Sequence, residues 1–156
     1  MLIYIFVFAI SVFFTRLCEG SERKFHKFAF ASFAVLIPAL LAGFRDYGVG
    51  HDTTIYVEDT VLEVLDYKDS DLLTFIKATI EGEFTQEKVY CFLTYVALQI
   101  GSEVNYVYFV INLVTIALVF NAIYLYREKA SMPLMMCVFL FLYFQTFHDK
   151  INLQMK

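Results

Sequence analysis

Five apolar runs punctuate the chain: Leu2–Phe14, Phe28–Phe44, Val89–Ile100, Tyr106–Tyr126 and Met132–Phe147. A helix rises ~1.5 Å per residue, so crossing a ~30 Å hydrocarbon core takes about 20 mostly apolar residues, with a range of roughly 17–25. By that measure Tyr106–Tyr126 is the clearest span, and Phe28–Phe44 just reaches the length with Pro38 inside it. Proline deletes a backbone hydrogen bond, so a kink is expected there, one that a neighbouring helix or water must satisfy. The first and fifth runs need flanking residues such as Arg16 and Lys150, whose long side chains snorkel to the interfaces. The expected fold is all-α: one polytopic transmembrane helix bundle with spans near 2–16, 28–44, 88–102, 105–126 and 132–148, and an extracytoplasmic loop over 45–87.

The run Val89–Ile100 decides the topology, because about a dozen residues is the length at which a re-entrant segment competes with a span. Arg16, Arg23, Lys24 and Lys27 lie between the first two runs, and the excess of basic residues on cytoplasmic loops places that link inside and the N-terminus outside. If 89–100 crosses, Arg127 and Lys129 emerge outside, against the same rule. If it does not cross, they return inside and Asn152–Lys156 joins the side of the 45–87 loop. The tripeptide Gly101-Ser102-Glu103 makes a plausible turn between two tilted helices, which favours a crossing. Within the loop, Ile55, Val61, Leu62 and Leu65, then Leu72, Leu73, Ile76 and Ile80, recur near helical spacing with acidic residues between them. Two amphipathic helices on the membrane surface satisfy that pattern, and so does a small soluble helical hairpin packed on the bundle.

Composition agrees with lipid as solvent: 60% of the 156 residues are hydrophobic and 18 are Phe. Net charge is −4, but the segment 45–88 holds four basic and eleven acidic side chains, a net of 4 − 11 = −7, which leaves +3 for the remainder. An acidic chain of this kind is no partner for nucleic acid. Cys18, Cys91 and Cys137 fall in or beside apolar runs with no metal-ligand spacing, so they read as buried thiols, and no metal or cofactor is expected. Leu2–Phe14 has no basic residues before it and no small-residue cleavage site after it, which suits a retained anchor better than a removed leader.

The densest polar cluster runs from Gly43 to Tyr56 at the outer mouth of the second run. Gly43, Gly48 and Gly50 permit tight turns and close backbone approach. Arg45 offers a planar fork suited to phosphate or carboxylate, and His51 and Asp52 are proton-transfer groups. Such a grouping at a membrane surface suits a lipid-linked anionic substrate. It equally suits a plain juxtamembrane turn in which Arg45 pairs with Asp46 or Asp52.

The stretch Ala42-Gly43-Phe44-Arg45-Asp46-Tyr47-Gly48-Val49-Gly50-His51-Asp52-Thr53-Thr54-Ile55-Tyr56 resembles the A-G-x-R-x-x-x-V-G-x-D-T-x-x-Y signature of the EpsG family, membrane proteins of exopolysaccharide and capsule synthesis grouped with Wzy-type polymerases. Glu87, with Tyr90 opening the next apolar run, is similar to the family's acidic residue and aromatic at that place. Asn152-Leu153-Gln154-Met155-Lys156 resembles its N-x-x-R-Q segment, with Lys156 in place of arginine. Lysine keeps the charge and loses the bidentate fork. Family members are more than twice as long, so the resemblance implies a truncated chain or fragment, inactive by itself.

The resemblance further implies a multi-pass inner (plasma) membrane protein that transfers a polyprenyl-diphosphate-linked glycan onto another lipid-linked repeat unit, a glycosyltransferase-type polymerisation. Its partners are that glycan, the bilayer and other membrane proteins of polysaccharide synthesis. Arg45 is then the candidate for holding the diphosphate, Asp52 for general base with His51 as substitute, and Gly50, Thr53, Tyr56, Glu87 and Lys156 for substrate contact. A transporter of polysaccharide or lipid-linked sugar, or a non-catalytic subunit docking through the acidic loop, are the competing classes. The near absence of charge at mid-span weighs against transport.

Overall fold

The computed structural model describes the backbone of residues 2–44 and 51–154, with side chains throughout these except at 51–56, 58 and 144–154. The described residues form seven helices and no strand: α1 Leu2–Gly20, α2 Lys24–Gly43, α3 His51–Leu65, α4 Leu72–Glu81, α5 Lys88–Ile100, α6 Val104–Leu125 and α7 Met132–Gln154. Of these, α1, α2 and α6 are long and apolar enough to cross a membrane. The 13 residues of α5 reach only ~20 Å. The chain divides into two compact units, one of residues 1–42 and 113–156, the other of residues 43–112.

The first unit holds α1, most of α2, the second half of α6, and α7, and its packing uses small residues where helices meet. Ser11, Thr15 and Cys18, spaced to share one face of α1, are buried, as are Ala34, Ala39 and Ala42 of α2. Lipid tails supply no hydrophobic drive between helices, so close approach and interhelical hydrogen bonds have to hold them together. The large apolar side chains instead point outward: Ile5, Phe6 and Phe13 of α1, Leu118 of α6, and Leu134 and Phe141 of α7 are all exposed. Among the side chains of α7 described, those up to Tyr143, the buried positions are Met132, Met136 and Leu140, one per turn, and α7 packs against α1. The Glu19 carboxylate, bound to Arg16 at 2.6 Å, also accepts the Met132 backbone N–H at 3.2 Å. An acidic group is well placed there, at a helix N-terminus whose first N–H groups lack intrahelical partners. Of the three cysteines, Cys18 and Cys91 are buried as expected, whereas Cys137 is exposed on α7.

The expected consequence of Pro38 is met by α1. Proline has no N–H, so the carbonyl of Ala34, four residues earlier in α2, loses its intrahelical donor. Ser11 Oγ donates to that carbonyl at 2.6 Å in a buried position. Thr15 Oγ1, by contrast, donates back to the Ser11 carbonyl of its own helix at 2.9 Å.

The second unit builds a core from Val57, Val61 and Val64 of α3, Phe75 of α4, Cys91, Tyr95 and Leu98 of α5, and Val107 and Val110 of α6. Phe75 and Tyr95 stack at its centre, ring centroids 4.2 Å apart and planes at 14°. Tyr67 and Phe84 close the aromatic group, with centroids 5.4 Å apart. The Tyr95 hydroxyl reaches out of this core to donate to the Ser70 carbonyl at 3.0 Å. Gly82 ends α4 in the left-handed region, φ 84°, so that its N–H and that of Glu83 both reach the Ala78 carbonyl.

Two loop helices were expected, and two form. The apolar positions of these helices divide between two sides. Val61 is buried, but Leu62, Leu65, Leu72, Leu73 and Ile80 are exposed, and the inward positions are filled by Val57, Val64, Phe75 and Ala78. Both helices are apolar on more than one side, so the spacing alone does not select the inward face.

The Ser11–Ala34 bond yields a double-mutant test. Ser11→Ala leaves a buried carbonyl unsatisfied and should cost about 1–3 kcal/mol of stability. In a Pro38→Ala background, where the backbone N–H is restored, the same change should cost far less. Equal losses in both backgrounds, measured by denaturant unfolding of the purified protein in mild detergent, would show that Ser11 does not serve the proline.

Candidate functional site

The polar run begins where α2 ends, and a close backbone contact fixes that origin. A Cβ placed on Gly43 would lie 2.7 Å from Phe109 Cβ, 3.1 Å from Phe109 Cα and 3.3 Å from the Asn105 carbonyl oxygen. These are rigid atoms, so only glycine lets the chain pass α6 at this distance. Here the first glycine of the family-like signature has a structural reason independent of any ligand. Beside it, Asn105 carries a buried side-chain oxygen with no hydrogen-bond partner among the described residues. Nothing in the sequence distinguished Asn105 from the other polar residues of α6, because its significance is its nearness to Gly43.

Of the residues assigned to the site from sequence, Arg45 and Gly50 lie outside the described residues, as does Lys156. His51, Asp52, Thr53 and Tyr56 are described as backbone only. That backbone is informative: α3 begins at His51, so His51, Asp52 and Thr53 belong to its first turn and Tyr56 stands one turn beyond Asp52. The first turn of a helix has N–H groups without intrahelical acceptors and carries the positive end of the macrodipole. Glu87 occupies the N-cap position of α5 with extended backbone, φ −60° and ψ 136°, and its side chain makes no capping bond. It is exposed, and its carbonyl accepts the Cys91 N–H at 3.0 Å.

Behind α3 lies a polar frame that residue types did not reveal. Glu63 accepts two hydrogen bonds from Thr85, 3.1 Å from the backbone N–H and 2.6 Å from the hydroxyl. The Tyr67 hydroxyl donates to Glu83, and that bond, together with burial and neighbouring carboxylates, pushes the phenol above its ordinary pKa. Lys68 closes the other end: its ammonium donates to the Ser102 hydroxyl, and its carbonyl accepts from Gln99 Nε2 at 2.7 Å. The acidic loop is therefore folded, with part of its charge committed to holding α3, α4 and α5 together. Among the described residues no three His, Cys, Asp or Glu side chains are grouped so as to hold a metal ion.

Three helices of membrane-crossing length and apolarity, with an acidic folded unit between the second and third, define a helical membrane protein. The chain belongs to the EpsG family, whose profile matches residues 28–153, and is thereby a membrane protein of polysaccharide biosynthesis. No curated protein and no solved structure matches it.

The contact at Gly43 is directly testable. Gly43→Ala should destabilise the protein by about 1–3 kcal/mol through forced backbone displacement. Gly20→Ala, where an added Cβ meets nothing within 4 Å, should be neutral or slightly stabilising. Comparable melting temperatures for the two variants in detergent would remove the packing argument for Gly43.

Proposed function

We propose that this chain serves the polymerisation of lipid-linked oligosaccharide repeat units in exopolysaccharide or capsule synthesis, as part of a glycosyltransferase-type polymerase. The observation that carries the reading is the family membership combined with the placement of the signature: it leaves α2 at a glycine held against α6 and enters α3 at His51. In the proposed reaction the acceptor sugar hydroxyl loses its proton, its oxygen bonds to the anomeric carbon of the donor glycan, and the anomeric carbon's bond to the polyprenyl diphosphate breaks. The leaving diphosphate keeps that electron pair. Two demands follow, a cation and donors for the diphosphate and a base for the hydroxyl.

Arg45 answers the first demand with a planar fork, and the free N–H groups of the first turn of α3 add donors aimed at an anion. Asp52 answers the second as general base, with His51 as substitute. Gly50 lets backbone approach the diphosphate, and Thr53, Tyr56, Glu87 and Lys156 are proposed for contacts to sugar and phosphate. The polar frame of Glu63, Thr85 and Lys68 holds α3 against α5 without taking part in the chemistry.

The roles are tested in a full-length family member carrying the same run. Arg45→Lys should reduce polymer synthesis by at least tenfold, while Lys77→Arg, which alters an exposed helix pair with Glu81, should leave it unchanged. Asp52→Asn should abolish chain growth at unchanged protein level. Normal polymer length in both site variants at normal expression would remove Arg45 and Asp52 from the mechanism. A parallel fall of folded protein and activity would instead assign them to anchoring the helix end.

A further inference from the structure

We propose that α5 does not cross the membrane, so that the chain between the end of α2 and the start of α6 stays on one side and α7 ends on the side where α2 ends.

Three separate sets of contacts lead to this arrangement. In the first unit, a cavity of about 420 Å³ is lined by Lys24, Lys27 and Phe28 from the start of α2 together with Phe120, Asn121 and Tyr124 from the end of α6. The start of α2 and the end of α6 therefore lie at the same face, and the two helices run in opposite directions. Whatever joins them must cross the membrane an even number of times. In the second unit, Gly43 at its beginning touches Asn105 and Phe109 near its end. The segment thus closes on itself within one locality.

The third set concerns α5 itself. Glu63 grips Thr85, just before α5, and Lys68 grips Gln99 and Ser102 at and beyond its end. Glu63 and Lys68 are five positions apart, at most about 18 Å even in a fully extended chain, and residues 63–65 are helical. Side chains anchored on so short a piece cannot hold two ends of a helix in aqueous phases ~30 Å apart. An even number of crossings that included α5 would also need α3 or α4 to cross, and α4 has only 10 residues. Val89, Phe92 and Ile100 of α5 and Leu72, Leu73 and Ile80 of α4 are exposed apolar residues, beside exposed polar ones such as Lys77 and Lys88. A folded unit with apolar residues on its outside suits the boundary between headgroups and hydrocarbon.

The remaining link is α7. Glu19, at the end of α1, holds the Met132 N–H at the start of α7, so α7 sets out from the face that carries the α1–α2 link. Its 23 residues extend ~35 Å, enough to bring Asn152 and Gln154 to the opposite face. Arg127 and Lys129 then share a face with Arg16, Arg23, Lys24 and Lys27, which removes the charge conflict of the alternative topology. That the end of α7 contributes to binding a lipid-linked diphosphate rests on the polymerase reading; its sidedness does not.

The test is a set of single added cysteines in the full chain, each at an exposed loop position: Arg23→Cys, Asp66→Cys, Glu103→Cys and Ser131→Cys. Labelling of intact and permeabilised right-side-out vesicles by an impermeant maleimide is read above the level of the unsubstituted chain. Asp66→Cys and Glu103→Cys should label from one face, and Arg23→Cys and Ser131→Cys from the other. If Glu103→Cys labels from the face opposite Asp66→Cys, or Ser131→Cys from the same face, α5 crosses and the proposal fails. For a variant that does not accumulate, a protease-cleavage sequence inserted after the same residue reports the same face. Polymer synthesis does not enter the readout, so the topology can fail while the polymerase reading stands, and the reverse.

Discussion

Hydrocarbon offers a peptide group nothing to bond with, and each part of this chain answers that constraint in its own way. The long helices α1, α2 and α6 answer it internally, turn by turn. Pro38 breaks the pattern at one point, and Ser11 restores it from the neighbouring helix. Had α1 carried Ala at that position, the buried Ala34 carbonyl would be left unmet, at a cost of about 1–3 kcal/mol. The small residues around Ser11 follow from this need, since a hydroxyl has short reach and the two backbones must come close for it to bond.

The unit formed by residues 43–112 faces the same solvent problem with helices too short for the bilayer. It compensates with a core of its own, centred on Phe75 against Tyr95, and with side-chain ties that link loop to helix end. Glu63, Tyr67 and Lys68, from one short piece of chain, supply ties at both ends of α5. Val57, Val61 and Val64 pack α3 into this core, and the backbone of its first turn, where the signature residues enter, continues the same helix.

The parts of this organisation that were legible from sequence are those that depend on local pattern. Run length and apolarity marked α1, α2 and α6, and spacing marked α3 and α4. That Pro38 needed a partner was equally readable, since the missing N–H is covalent fact. Its identity was not, because Ser11 is one of several hydroxyls and only tertiary packing brings it to Ala34. Leu62, Leu73 and Ile80 of that pattern face outward while Val57, Val64 and Phe75 fill the core, since these helices are apolar on two sides, one facing protein and the other outward. The candidate site was legible as residue types in a recognisable order from Ala42 to Tyr56. The Glu63–Thr85 tie left no trace in the sequence, since partners 22 positions apart obey no helical or strand period.

The bond from Met132 to Glu19 spans 113 positions of chain, and that separation has a consequence in time. Ribosomes add roughly 5–20 residues per second, so α1 waits on the order of ten seconds between its own synthesis and the arrival of α7. Ser11 finds Ala34 early, once α2 has entered, but the side of α1 that α7 will cover stands open throughout that interval. The half-built bundle must remain loosely associated, or be shielded by the insertion machinery, until the last described helix is in place. The packing of α1 is therefore completed from far along the chain: its last contacts wait on a partner made 113 positions later.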